Sequence, residues 1–174
     1  MKKSIAQIAE EFSLPVDCVL YHAKWALRAQ NITKKSFLNE NEYTDIKNEL
    51  LGAGKRRKEL YFLIEKALET RVFANGKYGK KGTLTEHREN ILALRYGYKC
   101  KPHPFKDIAQ MYGRSAQRVV QVDHSTITML KHPKIKRELQ EQFDFKSYVP
   151  KLNFGPESIA LINFYNKHKE ESDV

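Results

Sequence analysis

Apolar residues recur at three- and four-residue spacing along almost the whole chain. No stretch alternates Val, Ile, Thr and aromatic residues between turn pairs. A chain patterned this way buries helix faces rather than strand faces, so the expected fold is all-α. Ser4 is placed to cap a short helix with Ile5, Ile8, Ala9 and Phe12 inward. The turn Ser13-Leu14-Pro15 follows, and Pro15 opens a second helix to about Arg28 that buries Val16, Val19, Leu20, Ala23 and Leu27. Short helix, tight turn and longer helix make a helix-turn-helix-like unit over 4–29.

Asn39 is the expected cap of a helix from Glu40 to Leu51, which Gly52-Ala53-Gly54 interrupts. A further helix carries Leu60, Leu63, Ile64 and Leu68 and ends near Phe73. These elements form an expected N-terminal helical domain over 1–73. Three glycines and three lysines then make 74–83 a basic linker. A second helical domain is expected over 84–143. An extension over 144–174 is irregular at first, then forms a short helix opened by Pro156 with Ala160, Leu161 and Phe164.

Charge narrows the partners. Lys and Arg total 31 against 21 Asp and Glu, a net charge of +10, which favours polyanions. The excess is clustered at Lys55-Arg56-Arg57-Lys58, at Lys77, Lys80 and Lys81, and at Lys131, Lys134, Lys136 and Arg137. Any one such run reads as a solvated face; three of them beside helix-turn-helix-like segments favour nucleic acid. No apolar run approaches the ~20 residues of a membrane span, and the start lacks a signal-peptide core. Cys18 and Cys100 have no metal-ligand spacing. A cytoplasmic protein without a disulfide framework is expected.

The stretch from Leu84 is the most informative. Thr85 caps a helix through Ile91, Leu92 and Leu94-Arg95, and Gly97 stands where a left-handed C-cap belongs. After a loop from Tyr98 to Pro104, Ile108, Ala109 and Tyr112 share one helix face, and Gly113 makes a turn. Ser115 then caps a helix to Lys131 with Val119, Val122, Ile127 and Leu130 inward, and His132-Pro133 ends it.

These residues resemble region 4 of the sigma-70 family of bacterial RNA polymerase sigma factors, without a gap over about 50 residues. The matching pieces are Leu84-Thr85, Leu94-Arg95-Tyr96-Gly97, Ile108-Ala109, Gly113, Ser115, Arg118-Val119, Gln121-Val122 and Leu130-Lys131-His132-Pro133. The resemblance implies a helix-turn-helix domain that contacts promoter-like double-stranded DNA and the β-subunit flap of the polymerase core. Carried over position by position, Ala116, Gln117 and Gln121 face bases and Arg118 lies near the DNA. Arg114, Ser115, Lys131, Lys134 and Lys136 complete the expected DNA set. Ile91, Leu92, Arg95 and Tyr98 are the expected polymerase contacts.

The departures from the family shape the reading. Ala116 replaces a usual arginine, Gln117 an acidic residue and Val120 a basic one. Ser125, Thr128 and Met129 occupy a patch that is basic in primary sigma factors, and Asp123 adds negative charge. A different DNA sequence is therefore read, or the module serves mainly in protein binding. Nothing resembles the segment that melts the promoter, so a sigma-like regulator is expected rather than a self-sufficient initiation factor. Small size and that missing region suggest, by analogy alone, virus encoding.

Two alternatives stand beside this reading. One is a polymerase-independent DNA-binding protein: a repressor, a replication initiator or a packaging recognition subunit. Asp123-His124-Ser125-Thr126-Ile127 resembles a replication-initiator signature over those five residues. The other is a protein-only module that displaces the host sigma region 4. The first helix-turn-helix-like unit is a further candidate reader, with Asp17, Tyr21, His22 and Lys24 toward a groove and Arg28 near phosphate. A docking or structural role there is equally open.

No catalysis is expected. His87, His103, His124 and His132 form no i,i+4 pair with a matching carboxylate, the glycines lack a phosphate-binding context, and neither metal nor cofactor is implied. Tyr21, Trp25, Tyr61 and Phe62 are candidates to stack on bases, but they stand at helical spacing and read as core.

Overall fold

Four of the helices described begin where a side chain caps them, at Ser4, Asn39, Ser115 and His132. The computed structural model describes residues 2–70, 86–152 and 155–169. Among the described residues are eight helices and one pair of two-residue strands: β1 (Lys3–Ser4), α1 (Ile5–Phe12), α2 (Val16–Ala26), β2 (Phe37–Leu38), α3 (Glu40–Thr70), α4 (Glu86–Tyr96), α5 (Phe105–Met111), α6 (Ala116–Leu130), α7 (Pro133–Gln142) and α8 (Pro156–His168). The fold is mostly helical, as the periodicity requires. The expected linker over 74–83 lies outside the described residues.

The chain divides into two compact units, Met1–Lys58 with Gly155–Val174, and Glu59–Phe154. This differs from the division expected from the sequence. The boundary falls within α3 rather than in the Gly-rich stretch, and α8 belongs with the N-terminal helices.

In the first unit, Ser4 and Gln7 form a reciprocal capping box that starts α1. Ser13 closes that helix in the left-handed region, at φ 54°. Asn39 starts α3 in the same reciprocal manner. Its Oδ1 accepts from the Glu42 N–H at 3.0 Å, and the Glu42 carboxylate accepts from the Asn39 N–H at 2.8 Å. Ile5, Ile8, Ala9 and Phe12 join Val19, Ala23, Ile46, Leu50, Leu161 and Phe164 in one core. Each such large side chain contributes about 1.5–3 kcal/mol of burial free energy.

The expected break at Gly52-Ala53-Gly54 does not occur, and α3 runs unbroken. Gly54 serves another purpose. A Cβ there would collide with the Leu161 carbonyl oxygen and sit 2.6 Å from Tyr165 Cβ, so glycine is what lets α8 cross so closely. Its helix-propensity cost of about 1 kcal/mol is offset by that contact. Lys58 departs from its run as well. It is 2% exposed and donates to Asn166 Oδ1 at 3.0 Å, while Lys55, Arg56 and Arg57 face outward.

In the second unit, α4, α5 and α6 enclose Ile91, Ile108, Ala109, Val119 and Val122, with Leu94, Phe105 and Tyr112 against them. Gly97 and Gly113 both take positive φ, 69° and 57°, and end their helices in left-handed caps. Following each cap, Tyr98 N–H donates to Ala93 O and Arg114 N–H to Ala109 O, both at 2.9 Å. Ser115 accepts from Arg118 N–H to begin α6, and Pro133 opens α7 behind the His132 cap. The irregular segment 143–152 is tied to the second half of α3. Phe62 meets the rings of Phe145 and Tyr148 at 5.3 Å, and Glu65 accepts from the Tyr148 hydroxyl and the Lys151 N–H. Burial and the Glu65 charge push the Tyr148 hydroxyl well above its ordinary range, so it remains a donor.

Candidate nucleic-acid interface

The α5–α6 turn fixes which way α6 points. Ile108 and Ala109 hold α5 inward, and Gly113 with the Ser115 cap redirects the chain so that Val119, Val122, Thr126 and Leu130 follow them into the interior. The opposite face of α6 is left outward. Ala116, Gln117, Arg118, Val120, Gln121, His124 and Thr128 are all exposed there, with Arg114 just ahead. Arg118 reaches Gln121 Oε1 at 3.4 Å, which orients both polar ends on this face. An exposed row of amide and guanidinium groups offers the donors and acceptors that base edges and phosphates require.

Of the residues expected to meet DNA, Arg114, Ser115, Ala116, Gln117, Arg118, Gln121, Lys131 and Lys134 are exposed. The Ser115 hydroxyl is engaged as the helix cap. Lys136 differs: it is half-buried, and its amine pairs with the Glu59 carboxylate, so its charge is committed within the unit.

Asp123 also departs from expectation. Rather than adding negative charge to the outer face, it is 8% exposed and turned toward α4, where Tyr96 donates to it. Its Oδ1 is enclosed without a hydrogen-bond partner. Burial pushes this carboxyl up to about 6, opposed by the nearby Arg95 guanidinium and by His124. Thr126 is likewise inward, donating to Val122 O at 2.6 Å. Both polar residues fall on the apolar face by helical phase, which is the signal that could have found them.

Ile91 and Leu92, expected as polymerase contacts, are fully enclosed and offer no surface to a partner. Both supply apolar bulk on the inner side of α4, so their spacing marks packing. Arg95 is half-buried, with its guanidinium 4.1 Å from the Phe105 ring centre. Tyr98 is half-buried and lines a cavity of about 410 Å³ with Asn90, Ala93 and Lys99.

The aromatic residues divide. Tyr61 and Phe62 of α3, in the second unit, are core, as their spacing predicts, but Tyr21 and Trp25 of α2, in the first, are 66% and 68% exposed. His22 is not turned to solvent. Its Nδ1 lies 3.2 Å from Glu49 Oε1, and burial lowers its pKa against the pull of that carboxylate. Asp17 pairs with Lys34 at 2.9 Å.

Among the described residues, no three His, Cys, Asp or Glu side chains are grouped to hold a metal ion, and no helix is long and apolar enough to cross a membrane. Cys18 is buried, and its thiol is pushed up to about 11 by burial and by Glu157. Cys100 is exposed, and its thiol donates to Ala93 O. A scan against protein-family models, a search of curated proteins and a search of solved structures each found no match for this chain.

Proposed function

We propose that the chain is a sigma-like transcription regulator whose α5, turn and α6 form a helix-turn-helix that reads double-stranded DNA. The observation that carries this reading is the outward row Arg114, Gln117, Arg118 and Gln121, set opposite a wholly inward Val119, Val122 and Leu130. Gln117 and Gln121 are the base-reading residues; each presents an amide able to bond an adenine edge at two points. Arg114 and Arg118 meet phosphate at the start of the helix, and Lys131, Lys134 and Arg137 continue that contact. The polymerase flap is the proposed protein partner, engaged through the turn at Tyr98 beside Arg95.

The enclosure of Ile91 and Leu92 favours a second reading, DNA binding without the polymerase, because it halves the surface expected to meet the flap. Size-exclusion chromatography with sigma-free bacterial core polymerase separates the two. Co-elution that is lost on deleting the flap tip supports the polymerase-borne factor; separate elution at micromolar concentrations supports an independent DNA-binding protein.

Selection from random duplex DNA tests base reading. Gln121→Ala is expected to shift the selected sequence, whereas Lys134→Ala weakens binding to every sequence and lowers the salt slope by about one. Equal effects of both variants on all sequences overturn the base-reading assignment. Polymerase binding that ignores Gln117 and Gln121 changes, with no duplex binding at all, would make this a protein-only module.

A further inference from the structure

The outer face of α2 carries two large rings that the first unit's core does not use. Tyr21 and Trp25 stand one helical turn apart and are each about two-thirds exposed. Their neighbours Cys18, Val19 and Ala23 are buried, so α2 has already committed its apolar stripe to the interior. The rings are therefore additional to the packing.

A basic run lies alongside. Tyr21 meets the His22 ring edge-on at 5.2 Å, His22 Nδ1 lies 3.2 Å from Glu49 Oε1, and the same carboxylate oxygen accepts from Arg56 at 2.9 Å. Through these contacts α3 brings Arg56 and Arg57 beside the aromatic helix, with Lys55 next to them in the run, all three exposed. Arg56 and Arg57 are both close enough to His22 to act on its protonation, and Arg57 acts on Cys18 as well. Of the acids on this side, Glu49 is half-buried and bridged by Arg56 and His22, Asp17 is paired with Lys34, and Glu157, near Cys18, is exposed.

We propose that this face, Tyr21 and Trp25 with the Lys55–Arg57 run beside them, binds single-stranded nucleic acid. Each ring stacks on an unpaired base while the cations follow the phosphates. In a duplex the base faces are covered by their neighbours, so a ring face has nothing to stack on; bases splayed along a single strand leave their faces open. The alternative of an anionic membrane surface is less well served. It needs an apolar stripe along the outer helix face, and here that face offers only two rings. This site does not depend on α6 or on the reading given to it.

Trp25 is the sole tryptophan of the chain, so its fluorescence reports on the site directly. Titrating the full chain with a short oligothymidine is expected to quench that fluorescence saturably, and an equal concentration of random duplex is expected to quench it far less. Because both rings are exposed, their removal leaves the fold intact. Tyr21→Ala and Trp25→Ala should each weaken oligothymidine binding by about tenfold, measured by anisotropy of the labelled strand, with Trp25→Phe recovering most of the loss. Lys55→Gln with Arg57→Gln should reduce the salt dependence; Arg56 is spared because it pairs with Glu49. Gln117→Ala with Gln121→Ala should leave oligothymidine affinity unchanged. Quenching by duplex alone, quenching only by phosphatidylglycerol vesicles, or affinities indifferent to both ring removals would each overturn the proposal.

Discussion

Asp123→Asn is expected to stabilise the protein at neutral pH. The carboxyl is pushed from its ordinary value of 3.8 to about 6, chiefly by burial. Folding thus makes it harder to ionise, and in the window between these values the folded state holds more of this proton than the unfolded chain does. Stability contributed by this group is therefore full below about pH 4, falls as pH rises toward 6, and stays low above it. At 1.36 kcal/mol per pH unit, the gap costs on the order of 3 kcal/mol at pH 7. Asparagine keeps the acceptor for Tyr96 and removes the charge, but it brings an amide N–H₂ into an enclosed place. The expected net gain is about 1–3 kcal/mol. Urea unfolding followed by far-ultraviolet circular dichroism, on both proteins from pH 4 to 8, gives the difference. That difference should be at or below zero at the acid end, where only the cost of the enclosed amide remains, and rise to the net gain through the window. A variant equally or less stable than the parent at pH 8, or a difference flat with pH, would refute this account.

Other variants probe separate parts of the structure. Gly54→Leu should destabilise the first unit by several kcal/mol and lower the melting temperature, since the added side chain meets the Leu161 backbone; Gly52→Ala, which meets only the Arg56 side chain, should change it little. Ile91→Ala should cost about 2–5 kcal/mol in denaturant unfolding, because the residue is fully enclosed. Tyr148→Phe should cost about 1–3 kcal/mol in the same assay by leaving the buried Glu65 carboxylate with one donor fewer. Ser115→Ala should cost about 1 kcal/mol through loss of the α6 cap, read as a lower melting temperature.

What the sequence made legible was local. Ser4, Asn39, Ser115, Pro133, Pro156, Gly97 and Gly113 act within a few residues of themselves, through caps and left-handed turns, and the expected helix limits follow from them. The inward set Ile5, Ile8, Ala9 and Phe12 was equally readable, because an amphipathic helix declares its phase. Misreadings arose where a distant partner decides. Gly54 looked like a breaker because its crossing with α8 lies more than a hundred positions away. Lys58 joined a basic run on paper, yet its amine is satisfied by Asn166. Tyr21 and Trp25 share the 3.6-residue rhythm of core aromatics, and only the direction of Val19 and Ala23 shows that they fall on the other side. On the candidate interface, Gln117 and Gln121 were expected from the resemblance alone, and the structure shows only that both are exposed; the engagement of Lys136 by Glu59 was not legible.

The first unit is discontinuous, with α8 separated from α1, α2 and the start of α3 by the whole of residues 59–154. During synthesis, every residue of the second unit is polymerised before the helix that completes the first. The order in which the two units can be completed is thus the reverse of the order in which they begin. The unit that begins earlier finishes later, holding Ile8, Phe12 and Leu50 without their Leu161 and Phe164 cover until α8 arrives. The entropic cost of bringing such distant segments together grows only slowly with the length between them, and is smaller still once the intervening residues are folded. The length of the inserted unit is therefore a small part of what it costs to close the outer one.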